Sequence, residues 1–175
     1  MDYITSIDFT VLDRLQDMLS CGFLDSVMPV ITKLGSKGLI WLVIAFVMMC
    51  TRQYRKCGIV MVISLIAGVL IGNLFLKNII ARPRPCWINE DFHMLIGVPG
   101  DYSFPSGHTL SSAACATVLT LENRKFAYGA VPLAALIAFS RLYLYVHFPT
   151  DIIGGALIGI AIGYTTFRLA KKQII

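Results

Sequence analysis

A chain of 175 residues with 57% hydrophobic and only 14% charged side chains lies far from the soluble average of roughly 25% charged, and reads as one membrane-embedded domain over residues 1–175. Its formal charge of +5 does not indicate nucleic acid, because the basic residues sit in short clusters at the ends of apolar runs rather than along one face. Five cysteines, at positions 21, 50, 57, 86 and 115, lack paired ligand spacing, which argues against a disulfide framework and a zinc site.

In chain order, residues 3–20 carry Ile4, Ile7, Leu12, Leu15, Met18 and Leu19 between acids, the periodicity of a helix that lies in the membrane interface and is too polar to span. Asp2, Asp8, Asp13 and Asp17 leave no basic start followed by an apolar block, so the first span is expected to act as its own signal. Residues 22–34 are apolar but interrupted by Asp25 and Pro29, which predicts a half-buried or re-entrant helix and makes 1–36 an interfacial or re-entrant segment. Spans are predicted at roughly 38–51, 57–77, 106–121, 126–145 and 150–170; the first is short for a bilayer core and extends back through Gly35 and Gly38. The fold class is therefore all-α: a polytopic membrane helix bundle of about five or six transmembrane helices plus an N-terminal interfacial helix. Gly154, Gly155, Gly159 and Gly163 in the last span predict close helix packing.

Five crossings place the basic turns at 52–56 and 122–125 and the C-terminal tail on one side, and these hold Arg52, Arg55, Lys56, Arg124, Lys125, Arg168, Lys171 and Lys172. Positive-inside bias makes that side cytoplasmic. Three polar patches fall on the opposite, extracytoplasmic side, where Cys86 is expected to be open to labelling from outside.

The first patch, Lys77-x6-Arg84-Pro85, follows the second span. A topology-setting cluster belongs on the inner side, so the position of this one favours a chemical role. Arg84 and Arg141 present forked N–H donors to phosphate oxygens and Lys77 a compact charge; Arg82 is a weaker candidate for the same task. The second patch, Pro105-Ser106-Gly107-His108, opens an apolar helix whose first N–H groups attract an anion, with Gly107 allowing close approach, Ser106 adding a hydroxyl and His108 able to protonate a leaving oxygen. An ordinary helix cap beside a chance histidine accounts for this patch equally. The third, Ser140-Arg141-x5-His147-x3-Asp151, pairs an imidazole with a carboxylate that fixes its tautomer and turns its free nitrogen toward substrate, which assigns His147 as nucleophile. A satisfied interfacial histidine with Asp151 as helix cap is the alternative. Together the patches supply what phosphoryl transfer needs.

These motifs resemble the type 2 phosphatidic acid phosphatases, which share their site with vanadium haloperoxidases and glucose-6-phosphatase. The pattern Lys-x6-Arg-Pro, Pro-Ser-Gly-His and Ser-Arg-x5-His-x3-Asp is met by Lys77, Arg84, Pro85, Pro105 to His108, Ser140, Arg141, His147 and Asp151, and the likeness covers roughly residues 57–165. The resemblance implies that His147 attacks phosphorus, His108 protonates the departing oxygen, Asp151 orients His147, and Lys77, Arg84, Ser106, Gly107 and Arg141 hold phosphate. It also implies a metal-independent phosphatase with no cofactor, consistent with the absence of any His, Asp and Glu cluster suited to a divalent ion.

A site at the outer mouth of a bundle suits a lipid phosphate substrate, and the apolar connection 86–104, with Trp87, Phe92 and Met94, either borders it or forms part of an aromatic belt. The expected reaction is undecaprenyl diphosphate to undecaprenyl phosphate; phosphatidylglycerophosphate or phosphatidic acid is the alternative substrate. A nonenzymatic lipid-phosphate carrier is a second alternative. A haloperoxidase is disfavoured, since those are soluble.

Overall fold

The computed structural model describes residues 3–172, all of its regular structure helical, with no strand among the described residues. Helix α1 (Tyr3–Leu19) is followed by α2 (Gly22–Gly35) and α3 (Leu39–Cys50). Residues 22–34 lie in a helix of their own, α2, which runs through Pro29 with only one face buried; a single turn at Ser36–Gly38 leads from it into α3, and the two together make a bent 29-residue unit long and apolar enough to cross a membrane. The bend is made by consecutive left-handed residues, Lys37 (φ 53°) and Gly38 (φ 69°), the second of which glycine adopts without penalty.

The next crossing starts as α4 (Arg55–Gly68), widens over Val69–Leu76 into turns bonded five residues back, and finishes as α5 (Lys77–Ile80). The amide of Lys77 accordingly donates to the Gly72 carbonyl. Each such widened turn inserts a residue and rotates the side chains beyond it, a device frequent at functional sites. Ala81, left-handed at φ 46°, ends α5; a short α6 (Pro85–Ile88) then leads into the long connection.

Helix α7 (Gly107–Glu122) occupies the centre, packed against α4, α8 (Ala127–Tyr143) and α9 (Pro149–Lys172). The small-residue stripe of α9 meets it directly. A Cβ added at Gly159 would lie 2.4 Å from the Leu110 carbonyl oxygen, and one at Gly163 2.4 Å from that of Ala114, so these helices approach at a distance only glycine permits. Buried Trp41 of α3 crosses to the same helix, its indole N–H donating to Ser112 Oγ at 2.9 Å.

Helix α1 lies against the ends of α8 and α9. Its exposed apolar residues, Ile4, Ile7, Val11 and Met18, form one stripe at helical spacing, while Asp8 and Leu12, on the flank beside that stripe, are buried. The inward face bonds to the protein: Gln16 Nε2 donates to the Tyr143 carbonyl at 2.7 Å, and Asp13 accepts from the Tyr145 hydroxyl at 2.6 Å.

Candidate active site

Lys77, Arg84, Gly107, His108, Arg141 and His147 line one cavity of about 640 Å³. Each of the three patches therefore reaches the same space, although they are separated by up to 70 residues of chain. Lys77 arrives there from the last turns of its helix, Arg84 from the extended residue capping α6, His108 from the first turn of α7, Arg141 from the last turn of α8, and His147 from the tight link before α9. One wall is lined by Leu42, Ile66, Val69 and Leu70, whose side chains are also exposed on the outer surface of the bundle. The cavity thus joins a cationic end to a lipid-facing apolar opening.

His147 is 1% exposed. Its Nε2 lies 3.1 Å from Arg84 Nη1, and since a guanidinium only donates, Nε2 carries the lone pair and Nδ1 the hydrogen. Nδ1 is 3.5 Å from Asp151 Oδ2 and 3.3 Å from Ser103 Oγ, which itself donates to the same carboxylate oxygen. Ser103 therefore stands between imidazole and carboxylate, a link that motif spacing did not reveal because it comes from the loop before α7. Asp151 Oδ2 also accepts from the Phe148 amide at 2.9 Å, a bond in which the carboxylate caps its own helix start. The capping and the orienting readings of Asp151 are compatible: one carboxylate does both.

Burial, followed by the nearby charges of Arg84, Arg141 and Lys77, holds the His147 imidazole well below its ordinary 6.5. It is neutral at physiological pH, the form in which a ring nitrogen can attack.

Two buried side-chain nitrogens have no partner among the described residues, His108 Nε2 and Arg141 Nε. Both belong to cavity-lining residues. Arg141 Nη1 is anchored by donating to Thr32 Oγ1 at 2.5 Å, so α2 positions a guanidinium that α8 carries. A buried N–H of this kind is costly unless a ligand atom satisfies it.

Ser106 and Asp151 are buried beside the cavity rather than lining it. Ser106 caps α7, accepting from the Thr109 amide at 3.5 Å and hydroxyl at 3.0 Å, which leaves its own hydroxyl hydrogen available. At Gly107 an added Cβ would come within 2.9 Å of Asn73 Oδ1, so the glycine there makes room for a cavity-lining amide that the sequence motifs did not flag. Arg82 does not join the cations: its guanidinium bonds Asp8 and Asp151 on the far side from the cavity. The Cys86 thiol is buried, against the expectation that it is open to labelling.

Among the described residues, one acidic side chain enters the cavity. Asp101, from the 89–106 connection, ion-pairs with Lys77 and accepts from Arg84 Nη2 at 2.7 Å, while its carbonyl accepts from Arg84 Nε at 2.6 Å. Partial burial raises the carboxyl pKa, but the Lys77 bond and the charges of Arg84 and Lys77 outweigh it and bring it down to about 2. Its carboxylate satisfies the two cations in the manner of an oxyanion.

Comparison with known proteins matches residues 58–175 to the family model described as PAP2 superfamily. The chain is 31% identical over 167 residues to the undecaprenyl-diphosphatase of Sulfolobus acidocaldarius, covering 94% of this chain and 80% of that protein. It is 32% identical over 147 residues to undecaprenyl-diphosphatase BcrC of Bacillus subtilis, covering 84% and 75%. Among solved structures, the transmembrane PAP2 type phosphatidylglycerolphosphate phosphatase from Bacillus subtilis superposes with a TM-score of 0.80 at 28% identity, over 98% of this chain and 88% of that one.

Proposed function

This chain belongs to the PAP2 superfamily, and from that premise we propose that it is an integral-membrane lipid phosphatase acting through a phosphohistidine, with undecaprenyl diphosphate as substrate and undecaprenyl phosphate as product. One observation carries the reading. His147, His108 and three cations converge on a cavity whose other wall is open to lipid, which suits a headgroup held by charge and a tail that stays in the bilayer.

In this mechanism Lys77, Arg84 and Arg141 neutralise the equatorial phosphoryl oxygens, with the Gly107 backbone and the Ser106 hydroxyl completing the cradle. The Nε2 lone pair of His147 attacks phosphorus, released from its contact with Arg84 as that guanidinium engages phosphate. The bond from phosphorus to the bridging oxygen breaks, the oxygen keeps the electron pair, and it is neutralised by a proton from His108 Nε2, which the negative charge of the bound substrate has drawn onto the imidazole from solvent. Ser103 and Asp151 support the positive charge that builds on the imidazole. Water then attacks the phosphohistidine, giving its proton to His108 and releasing inorganic phosphate and neutral His147.

The diphosphate is favoured by the named relatives and by Lys37, a further cation on the same cavity, suited to a second phosphate. Phosphatidylglycerophosphate, the substrate class of the solved relative, is the second reading, with phosphatidic acid. The basic turns on the opposite end of the bundle support an extracytoplasmic site in the cell membrane. Purified protein assayed on prenyl diphosphate, phosphatidylglycerophosphate and phosphatidic acid is expected to release phosphate fastest from the first, with chelator present, and to be inhibited by vanadate. His147→Ala should abolish release; unchanged release would leave a lipid-phosphate carrier as the better account, and loss of activity in chelator would require a metal.

A further inference from the structure

Behind the catalytic carboxylate lies a buried chain of charge outside the phosphate cavity. Asp151, 0% exposed, gives one oxygen to Ser103 and Phe148 and the other, Oδ1, to Arg82 Nη1 at 2.7 Å. The same Arg82 nitrogen donates to Thr150 Oγ1 at 2.7 Å, and Nη2 donates to Asp8 Oδ2 at 2.7 Å. Asp8, 2% exposed, also accepts from the Thr150 amide at 3.1 Å and from its hydroxyl. The guanidinium stacks 4.2 Å over the Phe148 ring. Every hydrogen-bonding oxygen of Asp151 is thereby fixed, and α1 is fastened to the first turn of α9 through a residue that belongs to neither.

We propose that Asp8 and Arg82 are positioning residues for the Asp151–His147 pair, so that the N-terminal helix is part of the phosphoryl-transfer machinery. The reason lies in charge. Asp8, Arg82 and Asp151 together carry one net negative charge, which the imidazolium-like transition state on His147 uses. An arginine alone would neutralise Asp151; two carboxylates without the arginine would repel, and one would take up a proton. Asp8 thus restores to Asp151 the charge that Arg82 withdraws in holding it still.

This rests on the phosphohistidine reading, and the test separates the two. Full-length protein is purified as Asp8→Asn, Arg82→Met, the double variant and His147→Ala, and kcat and KM are measured on a prenyl diphosphate, with phosphoenzyme formation followed by rapid quench. Outer partners that orient a metal-bound imidazole are worth ~10- to 100-fold; taking the lower end of that range for the same orienting role here, each single variant should lose about tenfold or more in kcat, with KM held within about twofold. The double variant has the wild-type net charge and should exceed both singles. Loss in a purely structural network would instead deepen in the double, and that result overturns the proposal, as does an Asp8→Asn kcat within twofold of wild type. A rise in KM at unchanged kcat would also overturn it, by placing Arg82 on phosphate. If Asp8→Asn does not fold, Arg82→Lys, which keeps the charge and loses the fork, carries the same comparison and should lower kcat at constant KM. Persistent activity in His147→Ala defeats the underlying mechanism; an inactive His147→Ala beside unaffected Asp8 and Arg82 variants defeats this inference alone.

Discussion

Asp101 occupies the two cations that the proposed mechanism assigns to phosphate, because its carboxylate bridges Lys77 and Arg84 while remaining 57% exposed. Binding an oxyanion there requires the carboxylate to move aside. Half-exposed ion pairs are worth up to ~1 kcal/mol, so Asp101→Asn is expected to tighten vanadate inhibition by ~3- to 5-fold, read as the inhibition constant; weaker inhibition would make Asp101 an organiser of the cations instead. The same residue sets an acid-stability term. Its pKa is depressed on folding, so its contribution is present above the unfolded value of about 4 and is lost as pH falls toward about 2. His147 has the opposite chemistry and the same sign. The unfolded state takes up its proton below 6.5 while the buried imidazole does not, so stability falls as pH drops through that window. A histidine NMR titration in detergent, assigned with His147→Ala, should show a resonance that stays neutral at pH 6.0; protonation of His147 at or above 6.5 would contradict the electrostatics of the cavity.

At the scale of the elements, the meeting of α7 and α9 sets the distance between the cavity-lining start of one helix and the Asp151 turn of the other. Gly159→Ala pushes a methyl toward the Leu110 carbonyl, whereas Gly129 of α8 has nothing within 4 Å of an added Cβ. Overpacking costs ~1–3 kcal/mol, so Gly159→Ala should lower the melting temperature in detergent and reduce activity with it. Gly129→Ala should leave both unchanged or raise stability by up to ~1 kcal/mol. Equal behaviour of the two variants would show that the helices have room to separate. The widened turns before Lys77 act at this scale too: they reset the phase of the helix so that a lysine following a long apolar run faces inward, is buried and meets Asp101.

For the whole molecule, the orientation of the bundle decides which pool of lipid reaches the cavity. Cys21 and Cys50 are exposed and stand at opposite ends of the bent α2–α3 unit. The Cys21 amide bonds to the Tyr143 hydroxyl at 3.3 Å, at the His147 end of α8. An impermeant maleimide applied to intact cells should therefore label Cys21 and spare Cys50. The reverse pattern would put the site on the cytoplasmic face and make the inner-leaflet lipids its substrates.

Helical content, the apolar runs from residue 38 onward and the polar motifs that reach the cavity were legible in the sequence, because each depends on neighbours within a turn or two: apolar run length, proline and glycine at a helix start, an imidazole four residues before a carboxylate. Tertiary structure alone decided the partners. Arg82 and Arg84 are two residues apart and chemically alike, yet one contacts His147 and the other the far oxygen of Asp151. Likewise Ser103, Asp101 and Asp8 acquire their roles from elements distant in sequence. A side chain's type and local spacing fix what chemistry it can offer, whereas the direction it points and the charge it meets come from packing between segments far apart along the chain.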